Sequence, residues 1–531
     1  MIGAEVYTVD TNEPWAAAFS YDTDGVITAV GSTEMVMAAA GANPTVIDAS
    51  GSMIVPGFQD THVHVLEAGI NADLCFIPAS QSLEQYEVLA GECADQQPDA
   101  EWVLAAGPSL FELRDTNELP IEALDRAIPD RPALILDDLG HAVWTNTLGL
   151  EAAGIGPDDP DPQGGVLHRD VDTGRLTGLV LENAQQLIRN AAAVDDESAY
   201  TGLLRALDEL TRNGVTSVSD AGGFWAQNHP AAWQRALDDG VLTVRAANSL
   251  YVYPDLDVEL QLAEFERRFS DDSDLLRFDT AKIYVDGILD LGTAALLEPY
   301  EVPIDPLYPS GLNYFTPEQL RTYVNELHAL GYRLSFHVIG DAAVRSALDA
   351  VESINDTPDA IADRRHLATH TYMVDDDDLD RFAEIGVVAD FQQSPDAIDA
   401  GYHEYLSDFI GDRAFDLIPA AKVLETGADV ALSSDWDAGP LAPLGTIERS
   451  LTRTSNAVPN LEAAIALVTI DAAYALGHDD VTGSITVGKF ADYVVLDTNI
   501  FETDVDRISR TKVLATFLGG NATFASTCFG N

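Results

Sequence analysis

Positive charge is what this sequence has least of. Of its 531 residues only 28 are Lys or Arg, against 88 Asp and Glu, for a formal net charge of −60. Just four are lysines: Lys282, Lys422, Lys489 and Lys512. A chain so acidic repels polyanions, which excludes nucleic acid and anionic membrane as electrostatic partners. Cysteine is scarce too. Cys75, Cys93 and Cys528 are odd in number and far apart, which argues against a disulfide framework or a thiolate metal site. No apolar run approaches the roughly 18 residues of a membrane helix. The start, Met1-Ile2-Gly3-Ala4-Glu5-Val6, lacks a basic region ahead of an apolar stretch, so a cytoplasmic location is expected.

A core, by contrast, is amply provided. Hydrophobic residues make up 46% of the chain, which excludes disorder despite the charge. The length allows one large domain with additions, or two to three ordinary domains. The acids are spread through apolar-patterned sequence, and the longest run, Asp375 to Asp378, reads as a solvated helix start. Their mutual repulsion strains a compact fold in dilute buffer, but in molar salt the Debye length is about 3 Å and most of it is screened. The composition resembles that of salt-in haloarchaeal cytosolic proteins.

Short β-like runs separated by turns occupy both ends of the chain, as in Ala4 to Val9, Gly483 to Asp497 and Val513 to Phe524. This predicts one composite β-sandwich from residues 1–52 and 483–531. Between them, apolar strand-like runs alternate with amphipathic helical stretches, the α/β pattern of a parallel sheet wrapped by helices. Eight strands are expected: Met53 to His64, Val215 to Asp220, Leu242 to Leu250, Phe278 to Asp286, Arg333 to His337, His366 to His370, Val387 to Phe391 and Val430 to Asp435. Eight fit a (β/α)8 barrel, here residues 53–70 and 197–482. Residues 71–196 are too long for one crossover and are expected to form an inserted subdomain after the first barrel strand.

The chemistry gathers at strand ends. His62 and His64 alternate on one face of the first strand, where two neutral imidazoles can grip one metal ion. With 11 histidines in the chain the pair alone is weak, and packing explains it equally well. Lys282 lies in the apolar run Ala281-Lys282-Ile283-Tyr284-Val285, where a buried ammonium is costly. Either it pairs with Asp286 on its own face, or it reacts with CO2 to give a carbamate able to bridge two metals. His337, His370 and Asp435 end three later strands. All these residues fall at the C-terminal face, where barrel enzymes do chemistry, and together they make a candidate metal site.

With Pro56-Gly57-Phe58 leading to the His-x-His, Gly140-His141-Ala142-Val143-Trp144-Thr145-Asn146, Asp286-Gly287, Gly340-Asp341 and Ser434-Asp435-Trp436, the sequence resembles the amidohydrolase superfamily along essentially its whole length. The resemblance is strongest to the YtcJ-like, N-substituted formamide deformylase-like branch, amidohydrolase family 3. It implies one or two divalent metals, zinc foremost. His62 and His64 would hold the more buried ion, His337 and His370 the outer one, with Lys282 as an N6-carboxylated bridge and Asp435 as ligand and proton acceptor. His141, Trp144, Trp436 and Arg453 are substrate-binding candidates. For each there is a plainer reading: packing for the tryptophans, a surface ion pair for Arg453.

The implied activity is metal-dependent hydrolysis of a non-peptide C–N bond in a small-molecule amide, N-formyl or cyclic amides included, with room for a homodimer. Deaminase, esterase or lactonase chemistry on the same fold is the alternative, and a catalytically silent barrel scaffold is the alternative of another class. A deaminase commonly has Glu shortly after the fifth-strand histidine; here Val338, Ile339 and Gly340 follow His337. Three departures from the branch fall on the substrate pocket: Thr369 where Glu is frequent, Ile288-Leu289 after Asp-Gly where Ser-Arg is frequent, and Asp437 where Pro usually follows Ser-Asp-Trp.

Overall fold

The computed structural model describes every residue except Asp115, Ile304, Asp396, Ala397, Gly530 and Asn531. These six fall within the predicted insertion, barrel and terminal module and lie outside the described residues. Eight strands form one parallel, nearly closed sheet: Phe58–Val63, Val215–Gly223, Arg245–Tyr251, Leu276–Tyr284, Arg333–Val338, Leu367–His370, Val388–Gln392 and Val430–Ser433. Nearly every residue in these strands is buried, because helices cover the outside and side chains fill the inside. At the mouth, the Asp435 N–H donates to the His62 carbonyl at 2.9 Å and joins the last strand to the first. The fold is the expected TIM-like barrel with an additional β module.

The first expected strand is in fact two. Met53–Pro56 pairs with Ile2–Tyr7 and Tyr493–Leu496 in a seven-stranded sheet built from both chain ends, and only after Gly57 does the chain enter the barrel. Gly57 has no room for a side chain: a Cβ there would sit 2.1 Å from Thr216 Oγ1. The terminal sheet curls over a core that includes Phe19, Ile54, Tyr493 and Phe517, and its edge returns so that Val26 bridges Phe490.

A third sheet, six-stranded, lies in the insertion, in the order Gly165–Arg169, Leu176–Glu182, Ala142–Thr145, Ala133–Leu136, Val103–Ala106 and Cys75–Phe76. Here the expectation about cysteine fails. Cys75 and Cys93 form a disulfide, their Cα atoms 5.6 Å apart, because helix Leu83–Gln96 folds back along the edge strand. Cys528 is free and exposed. The Asp375–Asp378 run does start a helix, but only in part as a solvated one: Asp375 caps it, whereas Asp378 is buried and pairs with Arg345 and Arg381. Among the described residues, no helix is long and apolar enough to cross a membrane.

Candidate active site

His62, His64, Lys282, His337, His370 and Asp435 meet at the barrel mouth. The candidate ligand atoms of His62, His64 and Asp435 all lie within 4.8 Å of one another. Asp435 Oδ1 is 3.2 Å from His62 Nε2 and 3.5 Å from His64 Nε2, and Asp435 Oδ2 is 3.8 Å from His370 Nδ1. The His337 and His370 rings are 4.4 Å apart. His370 and Asp435 both have positive φ, 75° and 55°, sparsely populated values for residues with a side chain that persist where the surroundings enforce them.

The outer nitrogens of three histidines are each held by an oxygen. His64 Nδ1 donates to Glu67 Oε2 at 2.6 Å, His337 Nε2 to the Gly287 carbonyl at 3.3 Å, and His370 Nδ1 to Gln392 Oε1 at 2.8 Å. Each such bond puts a proton on the outer nitrogen; in His337 and His370, which burial keeps neutral, the other nitrogen keeps its lone pair. His337 Nδ1 and His370 Nε2 are buried and have no hydrogen-bond partner among the described residues. A buried polar atom left so costs about 1–3 kcal/mol, a cost a bound cation removes. Imidazole nitrogens beside a carboxylate are the donor set of zinc and related divalent ions. The residues therefore fit a cation.

Lys282 is fully buried, its Nζ 3.3 Å from the His62 ring nitrogens and 4.9 Å from the centre of the Tyr284 ring. No carboxylate pairs with it among the described residues. Asp286 instead accepts the backbone N–H groups of Ala295, Ile339 and Gly340 at 2.8–3.0 Å, so the Lys282–Asp286 pair expected as an alternative does not form. Burial pushes the lysine down to about 7, and burial together with the Lys282 charge pushes His62 down to about 3. Burial alone would raise the Asp435 carboxyl, but His370, His62 and His64 hold it well below the usual range.

Two neighbouring cavities of about 520 and 370 Å³ flank this cluster, with Asp137, His141, His370 and Asp435 among the residues lining both. Tyrosines 251, 284 and 314, Trp436 and Asp437 line the larger; Phe111, Leu289, Leu291, Tyr402 and Tyr405 line the smaller. Of the substrate candidates, His141 and Trp436 face the cavities. Trp144 is fully buried in the insertion near Tyr86, three residues from His141 and so on the opposite side of its strand. Arg453 is buried outside both cavities, bonded to Gln393 Oε1 and the carbonyls of Leu417 and Ser455 at 2.9–3.0 Å. Thr369 is buried in the sixth strand and bonds Ser335.

Sequence reasoning missed three acids. Glu67 holds His64. Glu182, buried and with φ of 56°, accepts His141 Nδ1 at 2.7 Å, Tyr314 Oη at 2.6 Å and Thr293 Oγ1. Asp137 is buried where the cavities meet, and burial pushes it up to about 7. The readable signals were positional: Glu67 three residues after a helix-starting histidine, Glu182 and Asp137 closing apolar runs.

The family model described as "Amidohydrolase family" matches residues 45–524. The chain is 27% identical to the N-substituted formamide deformylase of Arthrobacter pascens over 98% of this chain and 97% of that one. It is also 27% identical to YtcJ of Bacillus subtilis (strain 168), with 95% of each covered. Among solved structures, an uncharacterized metal-dependent hydrolase from Pyrococcus horikoshii superposes with a TM-score of 0.74 at 20% identity, over 95% of this chain and 98% of that one, which is a likeness of fold. A match over nine-tenths of the length, on a barrel of this build, makes the chain a hydrolase that belongs to the amidohydrolase family.

Proposed function

We propose that the chain hydrolyses a non-peptide amide, N-formyl or cyclic amides included, with one or two divalent ions, zinc foremost, at the barrel mouth. The observation that carries this is the histidine cluster itself: three imidazoles each pinned through one nitrogen by an oxygen, two of them with the other nitrogen buried and unpartnered among the described residues, beside His62 and an ionised Asp435. His62, His64, His337, His370 and Asp435 would hold the ions. Lys282, buried without a carboxylate partner, would bridge them as its N6-carboxylate. A bound divalent ion polarises a carbonyl and lowers the pKa of water.

Asp435 takes the proton of the attacking water and returns it to the leaving nitrogen, so that water adds across the C–N bond to give a carboxylic acid and an amine. The two cavities receive the two arms of the amide, and His141, fixed by Glu182, and Trp436 contact it at their junction. The composition further supports work in concentrated salt in the cytoplasm of a haloarchaeon. The test is metal analysis of the purified protein, then a hydrolysis screen in molar KCl over N-formyl and N-acyl amines, cyclic amides, esters and aminated bases. Amide hydrolysis lost with His62→Ala is expected; turnover of the bases alone overturns the reading.

A further inference from the structure

The inserted segment touches the mouth twice through one short stretch. Glu182, the last residue of strand Leu176–Glu182, holds His141. Seven residues on, in helix Gln185–Ala191, Arg189 forms an ion pair with Glu67 Oε1, the oxygen not bonded to His64. Arg189, Glu67 and His64 thus form a chain leading from the insertion to the candidate cation site.

The chain is built locally. His64 is the N-cap of helix Val65–Asn71, which places Glu67 three residues on, reaching back over the first turn to His64 Nδ1. Glu67 is buried, and the second barrel strand leaves space for it: a Cβ at Gly222 would lie 2.6 Å from Glu67 Oε2. Arg189 has its guanidinium 5.2 Å over the Phe224 ring. Both carboxylate oxygens are therefore engaged from opposite sides, which fixes the plane of the carboxylate and, through it, the rotation of the imidazole. A buried ion pair is a poor source of stability compared with apolar residues of the same volume. Its clearest effect here is geometric: Glu67 holds the proton on His64 Nδ1, and the ring is oriented with Nε2 facing Asp435, 3.5 Å away.

We propose that Glu67 is a positioning residue that aims His64 Nε2 at the cation, and that Arg189 makes metal affinity depend on the docking of the inserted segment. This rests on the reading of His64 as a ligand. The experiment measures the zinc dissociation constant of the full chain by chelator competition at fixed pH, the visible spectrum of the cobalt form, and the thermal midpoint of the metal-free protein. The variants are Glu67→Gln, Arg189→Met, the apolar double variant Glu67→Leu with Arg189→Met, and His64→Ala.

The expected result is zinc binding about 10- to 100-fold weaker in Glu67→Gln and in the double variant, with an altered cobalt spectrum. Arg189→Met alone is expected to weaken binding in the same direction. The double variant removes both charges together, so its metal-free midpoint stays near that of the parent and separates positioning from loss of fold. Dissociation constants within about twofold of the parent in the Glu67 variants, while His64→Ala loses zinc, overturn the proposal and leave the pair structural. Zinc binding unchanged in His64→Ala overturns the ligand reading itself, and the proposal with it.

Discussion

The two ends of the barrel use similar residues to opposite effect. At the floor, Arg245 opens the third strand and makes a two-pronged pair with Asp492 of the terminal module, at 2.7 and 3.2 Å. Asp492 also accepts from Gly519 N–H at 2.6 Å and Thr482 Oγ1 at 3.1 Å, and the guanidinium lies 4.1 Å over Phe490. The charges of this pair are answered within the protein, and what they accomplish is attachment of barrel to sheet. At the mouth, His337 and His370 are just as buried, yet among the described residues one nitrogen of each has no partner, and φ turns positive at His370 and at the partly exposed Asp435. Buried polarity that is closed holds parts together, and buried polarity that is left open awaits a ligand.

The contrast can be broken most directly by exchanging readouts. Asp435→Asn is expected to lower kcat by about 10²–10⁴-fold, the range of a lost general base, while the denaturation midpoint of the metal-free protein stays close to the parent. Arg245→Ala is expected to do the reverse, costing about 3–5 kcal/mol in denaturant unfolding because Asp492 is left buried and unpaired, with metal stoichiometry unchanged. If Arg245→Ala instead releases metal, the floor is not merely an attachment. Tyr314→Phe removes one of three hydrogen bonds on Glu182 and should lower kcat/KM by the equivalent of about 1.5–3 kcal/mol through His141, with no change in metal content.

The mildest test is pH. In the metal-free protein, burial works against a charged His64, yet Glu67 carries it up to about 9. The stability of that pair is complete below the ordinary histidine value near 6.5 and disappears as pH rises through 9. Protons and cations compete for Nε2, so zinc affinity should climb with pH, by up to about tenfold per unit, and level off above 9. Zinc affinity independent of pH between 6 and 9 would remove His64 from the site.

Much of the barrel was legible because buried parallel strands are continuous apolar runs, and a His or Asp at the end of such a run stands out. His337, His370 and Asp435 were found in this way. The switch at Gly57 was not legible, because Met53–Pro56 and Phe58–Val63 read as one apolar segment, although hydrogen bonds assign them to different sheets. Glu67 and Glu182 were lost among 88 acids, since nothing in composition marks which carboxylate will face an imidazole. Trp144 was assigned to the mouth with His141, but an odd spacing on a strand puts the two on opposite faces. The Cys75–Cys93 disulfide depends on a helix folding back, which spacing alone does not disclose.

The sheet made from both ends constrains how the molecule comes into being. Met53–Pro56 lies between Ile2–Tyr7 and Tyr493–Leu496, and the first barrel strand hangs from it across a single residue. A nascent chain emerging from the ribosome can pair the first of these neighbours at once, but must wait until Tyr493–Leu496 has been made before the second arrives. The Arg245–Asp492 lock comes equally late. Until then an apolar strand edge stays open, which makes slow, chaperone-assisted completion after synthesis the expected course, and makes truncation near the C-terminus far more damaging than its distance from the mouth suggests.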